Sequence, residues 1–251
     1  NACTGPEGFA DTHRTAELVA TALRQAQGTA ESAQGTASVQ GIAGSVQGTA
    51  GSAQADIGPI DVAVCSTGLI GVRLPMDKVA AGINDLVPLL RTDGGQAAAE
   101  AILTTDSVTK QASYSDEGWS IGGMAKGAGM LAPGLATMLV VLTTDAVVDS
   151  EQLHDQLASA CRRSFERIDS DGCMSTNDTV IVMSSGASGV RPTPRDFQAA
   201  LDEICRDLSW QLLGDAEGAA HTIAIHVEEA ASEEDAVQVG RAIARSNLFK
   251  C

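Results

Sequence analysis

The residues best suited to chemistry cluster around one junction. Gly122-Gly123-Met124-Ala125-Lys126-Gly127-Ala128-Gly129-Met130-Leu131-Ala132-Pro133-Gly134-Leu135-Ala136 is unusually rich in small residues, and it runs directly into Thr137-Met138-Leu139-Val140-Val141-Leu142. The second run has the apolar character of a buried strand. A loop-to-strand junction brings backbone donors near the strand's start, and a threonine there carries a hydroxyl that attacks an acyl carbon once a base takes its proton. Upstream, the turn Ser66-Thr67-Gly68 offers a second hydroxyl and an unhindered glycine N–H. Lys126 adds a positive charge to the small-residue run, and Glu217 is one of 32 acidic residues. Taken singly, each has a plainer reading. Thr137 is a β-favouring residue opening a core strand, Ser66-Thr67-Gly68 is an ordinary turn, and Lys126 and Glu217 are solvated surface charges.

Metal chemistry finds little support. His13, His154, His221 and His226 make no metal motif, and the spacing of the last two puts them on opposite faces of a regular strand. The six cysteines form no CxxC pair, which favours a reduced cytosolic setting with several of them as small core residues. No metal and no tightly bound cofactor is expected.

The elements that must position these residues follow from periodicity and punctuation. A helix is predicted over residues 11–25. From Gln27 the composition shifts: Gln-Gly pairs begin at Gln27, Gln34, Gln40 and Gln47 in an Ala/Ser/Thr background. Glycine weakens a helix by about 1 kcal/mol relative to alanine, so residues 27–55 read as a mobile surface insertion rather than a heptad. A buried strand is predicted over 61–65, helices over 76–90 and 95–103, and a hairpin pairing 111–114 with 119–121 around Asp116-Glu117-Gly118. A helix over 150–168, a turn at Asp171-Gly172, a strand over 179–183 and a helix from Pro194 to about Leu213 follow. The chain closes with a strand over 221–227 and a helix to about Arg245, capped by Ser232 and its acidic first turn. Strands separated by covering helices define a mixed α/β protein.

Several blocks, in order, resemble the bifunctional glutamate N-acetyltransferase and ornithine acetyltransferase family, also called the ArgJ family. They are Asn1-Ala2-Cys3-Thr4-Gly5, Cys65-Ser66-Thr67-Gly68-Leu69-Ile70-Gly71, Thr104-Thr105-Asp106, the segment from Gly122 to Asp145, Asp171-Gly172, Ser175-Thr176-Asn177-Asp178-Thr179 and Asp215-Ala216-Glu217-Gly218. Together they are specific, whereas any one short Gly-rich block is weak.

The resemblance implies DmpA/ArgJ-like mixed α/β layers with an internal autoprocessing junction. Cleavage falls between Ala136 and Thr137, giving an alpha-like segment 1–136 and a beta-like segment 137–251 that is incomplete at its C-terminal end. Thr137 becomes an N-terminal nucleophile whose own α-amine, with a reference pKa of about 7.7–8.0, serves as base. An internal threonine has an amide there and lacks that base. Thr67 and Gly68 match the family's oxyanion positions, and Thr104, Lys126, Thr137 and Glu217 match its substrate contacts. The implied reaction passes an acetyl group from N-acetylornithine to glutamate through an acetyl-threonine, with acetyl-CoA as a donor in some members. Two alpha and two beta fragments assemble in the family.

Composition limits the other classes. The formal net charge of −16 disfavours nonspecific nucleic-acid binding. The apolar runs are shorter than the roughly 20 residues a membrane helix needs, and the opening residues lack a signal-peptide pattern; a cytoplasmic protein is expected. Two other readings compete: an N-terminal-nucleophile amidohydrolase or aminopeptidase, in which water resolves the acyl-enzyme, and a nonenzymatic structural fragment.

Overall fold

The computed structural model describes residues 2–32, 57–131, 138–246 and 248–249, with side chains undescribed at 27–32. Its centre is a four-stranded sheet in the order β1-β2-β3-β4, formed by β1 (Lys110–Asp116), β2 (Trp119–Lys126), β3 (Leu139–Thr144) and β4 (Thr179–Ser184). The predicted hairpin is present and longer than expected. Asp116 pairs with Trp119 across a two-residue turn in which Gly118 takes φ 83°, a conformation that favours glycine. β2 and β3 are antiparallel, while β3 and β4 are parallel. A parallel pair needs a crossover, and α4 (Ser150–Arg163) lies within it, followed by a 3-10 turn at Phe165–Arg167.

One helix forms most of the cover. α5 (Pro194–Gly214) opens with proline in its first turn, and the Thr193 hydroxyl accepts from the Asp196 N–H as its N-cap. Phe197, Ala200, Leu201, Ile204, Leu208 and Leu212 line its buried face at helical spacing. They meet Trp119, Ile121, Val140 and Leu142 from the sheet, and the Trp119 and Phe197 rings lie 5.7 Å apart. Gly123 permits this close approach. A Cβ there would stand 2.4 Å from Leu142 Cδ2 and 3.3 Å from Leu208 Cδ1.

α1 (Gly5–Ser32) packs against α2 (Met76–Leu86), with Ala16 and Ala20 buried one turn apart. The Arg73 guanidinium fastens the edge of this pair by a two-pronged contact to Asp11, at 2.8 and 2.7 Å. α3 (Gly95–Ala101) follows a 3-10 turn at Val87–Leu89. α6 (Glu233–Ala244) starts where Ser232 was expected to cap it, the hydroxyl accepting from Asp235 N–H at 3.1 Å.

Three expectations are corrected. Residues 61–65 form no strand: Pro59–Asp61 is a 3-10 turn, and the residues after it have no ladder partner among the described strands. Residues 221–227 likewise stay outside the sheet. β-Branched, apolar composition permits a strand, but a strand exists only where a neighbour offers backbone partners. The compositional shift at Gln27 does not end α1, which continues to Ser32. Ala, Glu and Gln sustain that turn against the single Gly28. The remainder of the expected insertion, residues 33–55, lies outside the described residues.

Candidate active site

The sheet register brings the predicted residues to one end. Lys126, the last residue of β2, pairs with Leu139, the first of β3, and Leu139 pairs in turn with Thr179, the first of β4. Adjacent strands are about 4.8 Å apart, so the Gly-rich loop after β2, the start of β3 and the Ser175-Thr176-Asn177-Asp178 segment before β4 all emerge side by side. Ala136 and Thr137, the expected cleavage pair, lie outside the described residues. Their covalent neighbour Met138 is described: its N–H donates to Asp178 Oδ1 at 3.0 Å, and its carbonyl accepts from the Thr179 N–H at 3.0 Å.

Lys126 is not a solvated surface charge. It is 1% exposed, and its ammonium donates to Thr104 Oγ1 at 2.6 Å with Asp106 Oδ2 3.6 Å away. Asp106 forms the hub of the cluster. Its Oδ1 accepts from Lys110 Nζ at 2.8 Å and from the Gly127 N–H at 2.6 Å, and its Oδ2 accepts from the Thr104 N–H at 3.2 Å. Lys110, wholly buried, also donates to Asp215 Oδ2 at 2.6 Å. Asp215 in turn accepts from the Ser107 N–H at 3.0 Å and from the Ser107 hydroxyl. Two lysines thus face two aspartates, which is the condition under which charge survives burial. Burial alone would raise the Asp106 carboxyl, but Lys110 and the Gly127 and Thr104 amides outweigh it and hold the group down to about 2. Asp215 is lowered too: burial opposes the shift, and Lys110 and Ser107 prevail.

Glu217 reaches the same loop from the end of α5. Its N–H donates to the Ala128 carbonyl at 2.7 Å, and a Cβ on Gly129 would stand 2.7 Å from its Oε2. The carboxylate thus lies against Gly129 as the free end of an exposed side chain, which could swing aside for a methyl there. Met130, next along, has φ 57°, a left-handed conformation unusual for a side chain of its size, and its N–H donates to Asp171 Oδ2 at 2.7 Å. Thr104, Lys126 and Glu217 therefore converge around the Gly-rich loop.

Thr67 and Gly68 lie in irregular backbone; the turn expected at Ser66-Thr67-Gly68 falls instead at Leu69-Ile70-Gly71, closed by the Val72 N–H on the Leu69 carbonyl at 3.1 Å. The carboxamide of Asn177 donates from Nδ2 to the Ser66 carbonyl at 2.7 Å, tying the Ser66-Thr67-Gly68 stretch to the segment that also holds Met138. Asp178 Oδ2 is buried without a hydrogen-bond partner among the described residues. Burial pushes its carboxyl up to about 6, against the lowering effect of the Met138 N–H.

Sequence reasoning singled out neither Asp106, Lys110 nor Asp215 as functional residues, although Asp106 and Asp215 sit inside the recognised blocks Thr104-Thr105-Asp106 and Asp215-Ala216-Glu217-Gly218. Among the described residues no group of three or more His, Cys, Asp or Glu is arranged to hold a metal ion, and no helix is long and apolar enough to cross a membrane. The five described cysteines are free thiols.

A mixed α/β domain whose buried charges and Gly-rich loop meet at one end of a sheet is the class that fold and site define. The chain belongs to the ArgJ family, whose pattern matches residues 26–251. It is 51% identical to the arginine biosynthesis bifunctional protein ArgJ of Streptomyces avermitilis and 51% identical to that of Thermobifida fusca, each over the whole chain and 57% of the relative. The protein of that description from Mycobacterium leprae is 50% identical, over 56% of its length. The chain thus spans a little over half the length of the curated relatives it matches.

Proposed function

We propose that this chain carries the acyl-transfer centre of an arginine-biosynthesis acetyltransferase, which passes an acetyl group from N2-acetyl-L-ornithine to L-glutamate. The observation that supports this best is the convergence at the Lys126–Leu139–Thr179 row: buried Lys126 with Thr104, Glu217 against the Gly-rich loop, and the Ser66 carbonyl, which precedes Thr67, tied to Asn177 next to the Asp178 that holds Met138.

The chemistry needs a cut between Ala136 and Thr137. Once the Thr137 α-amine is free, it takes the proton from Thr137 Oγ as that oxygen attacks the acetyl carbonyl carbon of acetylornithine. The Thr67 hydroxyl and Gly68 N–H receive the growing oxyanion charge. Collapse breaks the carbon–nitrogen bond, the α-ammonium returns its proton to the departing amine, and ornithine leaves. The neutral amine of glutamate attacks the acetyl-Thr137 ester, giving N-acetylglutamate and restoring the hydroxyl. Lys126 is suited to the substrate α-carboxylate and Glu217 to the cationic amine. No tightly bound cofactor takes part. Acetyl-CoA as donor, association of the two fragments into a heterotetramer, and a cytoplasmic location accompany this reading.

Intact mass measurement with N-terminal sequencing tests the first step. The expectation is two fragments of 136 and 115 residues, the second beginning Thr137-Met138-Leu139. A folded chain that stays whole defeats the self-cleavage assignment. Glutamate-dependent formation of N-acetylglutamate then separates transfer from hydrolysis, in which acetate appears at the same rate without glutamate.

A further inference from the structure

We infer that Asn177 and Asp178 act as a paired positioning device, holding the Thr67–Gly68 donors in a fixed placement relative to the start of β3. Its catalytic consequence rests on the acyl-transfer reading above; the clamp itself rests on geometry.

The two neighbours bond in two directions. Asn177 Nδ2 donates to the Ser66 carbonyl at 2.7 Å, while Asp178 Oδ1, one residue on, accepts from the Met138 N–H at 3.0 Å. Asn177 has little freedom to do otherwise. Its Oδ1 accepts from the Thr176 hydroxyl at 3.0 Å, its N–H donates to the buried Ser175 Oγ at 3.3 Å, and its carbonyl accepts from the Thr179 hydroxyl at 3.2 Å. With the amide oxygen occupied on one side, Nδ2 is left to face the Ser66 carbonyl. Thr179 is already a ladder residue paired with Leu139, so the clamp is anchored in the sheet and not in a free loop.

Peptide planarity carries the effect further. The Ser66 carbonyl and the Thr67 N–H share one rigid plane. Fixing that carbonyl sets the direction of the next amide and the course of the chain toward Gly68. A displacement of about 1 Å at a donor can cost on the order of a hundredfold in rate. The other half of the clamp holds the amide that follows Thr137, where Asp178 Oδ2 is buried with no hydrogen-bond partner among the described residues.

The test uses the purified full chain and the near-isosteric change Asn177→Asp, which keeps the shape of the side chain but presents an acceptor to the Ser66 carbonyl. The expected result is a fall in kcat for N-acetylglutamate formation of about 10- to 100-fold, with KM within about twofold, and faster hydrogen–deuterium exchange in residues 64–70. Asp178→Ala should lower kcat in the same way, and Asp178→Asn, which retains an acceptor for Met138, should recover part of the loss. Circular dichroism melting confirms that each variant is folded. Wild-type kcat and wild-type exchange in Asn177→Asp overturn the clamp, and so does a change confined to KM, which would mark Asn177 as a substrate contact. If the unmodified chain makes no N-acetylglutamate, the transfer reading falls. Exchange still decides the clamp, since an unaltered 64–70 segment in Asn177→Asp rejects it.

Discussion

Lys126 and Thr104 are bonded to one another: the ammonium donates to the hydroxyl at 2.6 Å from a position 1% exposed to solvent. A lysine so held has lost its rotamer freedom, and if it meets a carboxylate as proposed, the ordering that binding would otherwise require is already in place. The same bond makes Thr104 an orienting partner for the charge. Thr104→Val, which keeps the volume and removes the acceptor, should therefore weaken binding of the carboxylate substrate and cost about 1–3 kcal/mol of stability for the buried donor left short. Steady-state KM and denaturant melts check both effects. An unchanged KM would separate Thr104 from substrate recognition.

Asp106 makes the cluster acid-sensitive. Its carboxyl is held down to about 2 in the folded protein, below its ordinary range near 3.9. The stability it contributes is present above the unfolded value and is lost as pH falls through the folded one. After discounting for solvent screening, Asp106→Asn should destabilise the protein at pH 7 by about 1–2 kcal/mol. That gap should narrow between about pH 4 and pH 2. Urea unfolding at several pH values reads the difference. A gap that stays constant in acid would mean the ion pairs are not its source.

Asp178 works in the opposite sense. Its carboxyl is raised to about 6, so the folded state holds a proton that the unfolded chain has already released, and stability falls as pH rises from about 4 to about 6. Asp178→Asn removes the cost. At pH 7 the variant should be more stable by about 1–2 kcal/mol, after allowance for solvent screening, and the two proteins should converge near pH 4. A variant less stable than the parent at pH 7 would contradict this account.

Gly123 is a packing position. Gly123→Ala would set a methyl 2.4 Å from Leu142 Cδ2, in a core where Leu142 and Leu208 are wholly buried. Overpacking of this kind typically costs about 1–3 kcal/mol. A thermal melt checks it, with Gly122→Ala as the control, because nothing lies within 4 Å of a Cβ there.

The elements legible in the sequence were those with local signatures. The hairpin has its Asp116-Glu117-Gly118 turn, α5 its Pro194 start, and α6 its Ser232 cap. Residues 61–65 and 221–227 look as strand-like as β4 does, yet they stay out of the sheet because pairing depends on which edge tertiary structure offers. The candidate site divides in the same way. Thr104, Lys126 and Glu217 are brought around one loop. Lys110, however, reads in sequence as any surface lysine, since its complete burial depends on Asp215, 105 positions away, as well as on nearby Asp106. Asn177 was visible within Ser175-Thr176-Asn177-Asp178-Thr179, but its partner at Ser66 was not.

The ladder between β2 and β3 pairs six residues on each side, from Ile121↔Thr144 to Lys126↔Leu139. The proposed cut falls between these two strands, so it would nick the backbone without parting the sheet. Such a molecule would run as one species in native gels and as two after denaturation. Its folding would also change order. Regaining the sheet would become a bimolecular encounter whose rate and yield rise with protein concentration, and a nicked molecule unfolded at high dilution would not readily find its way back.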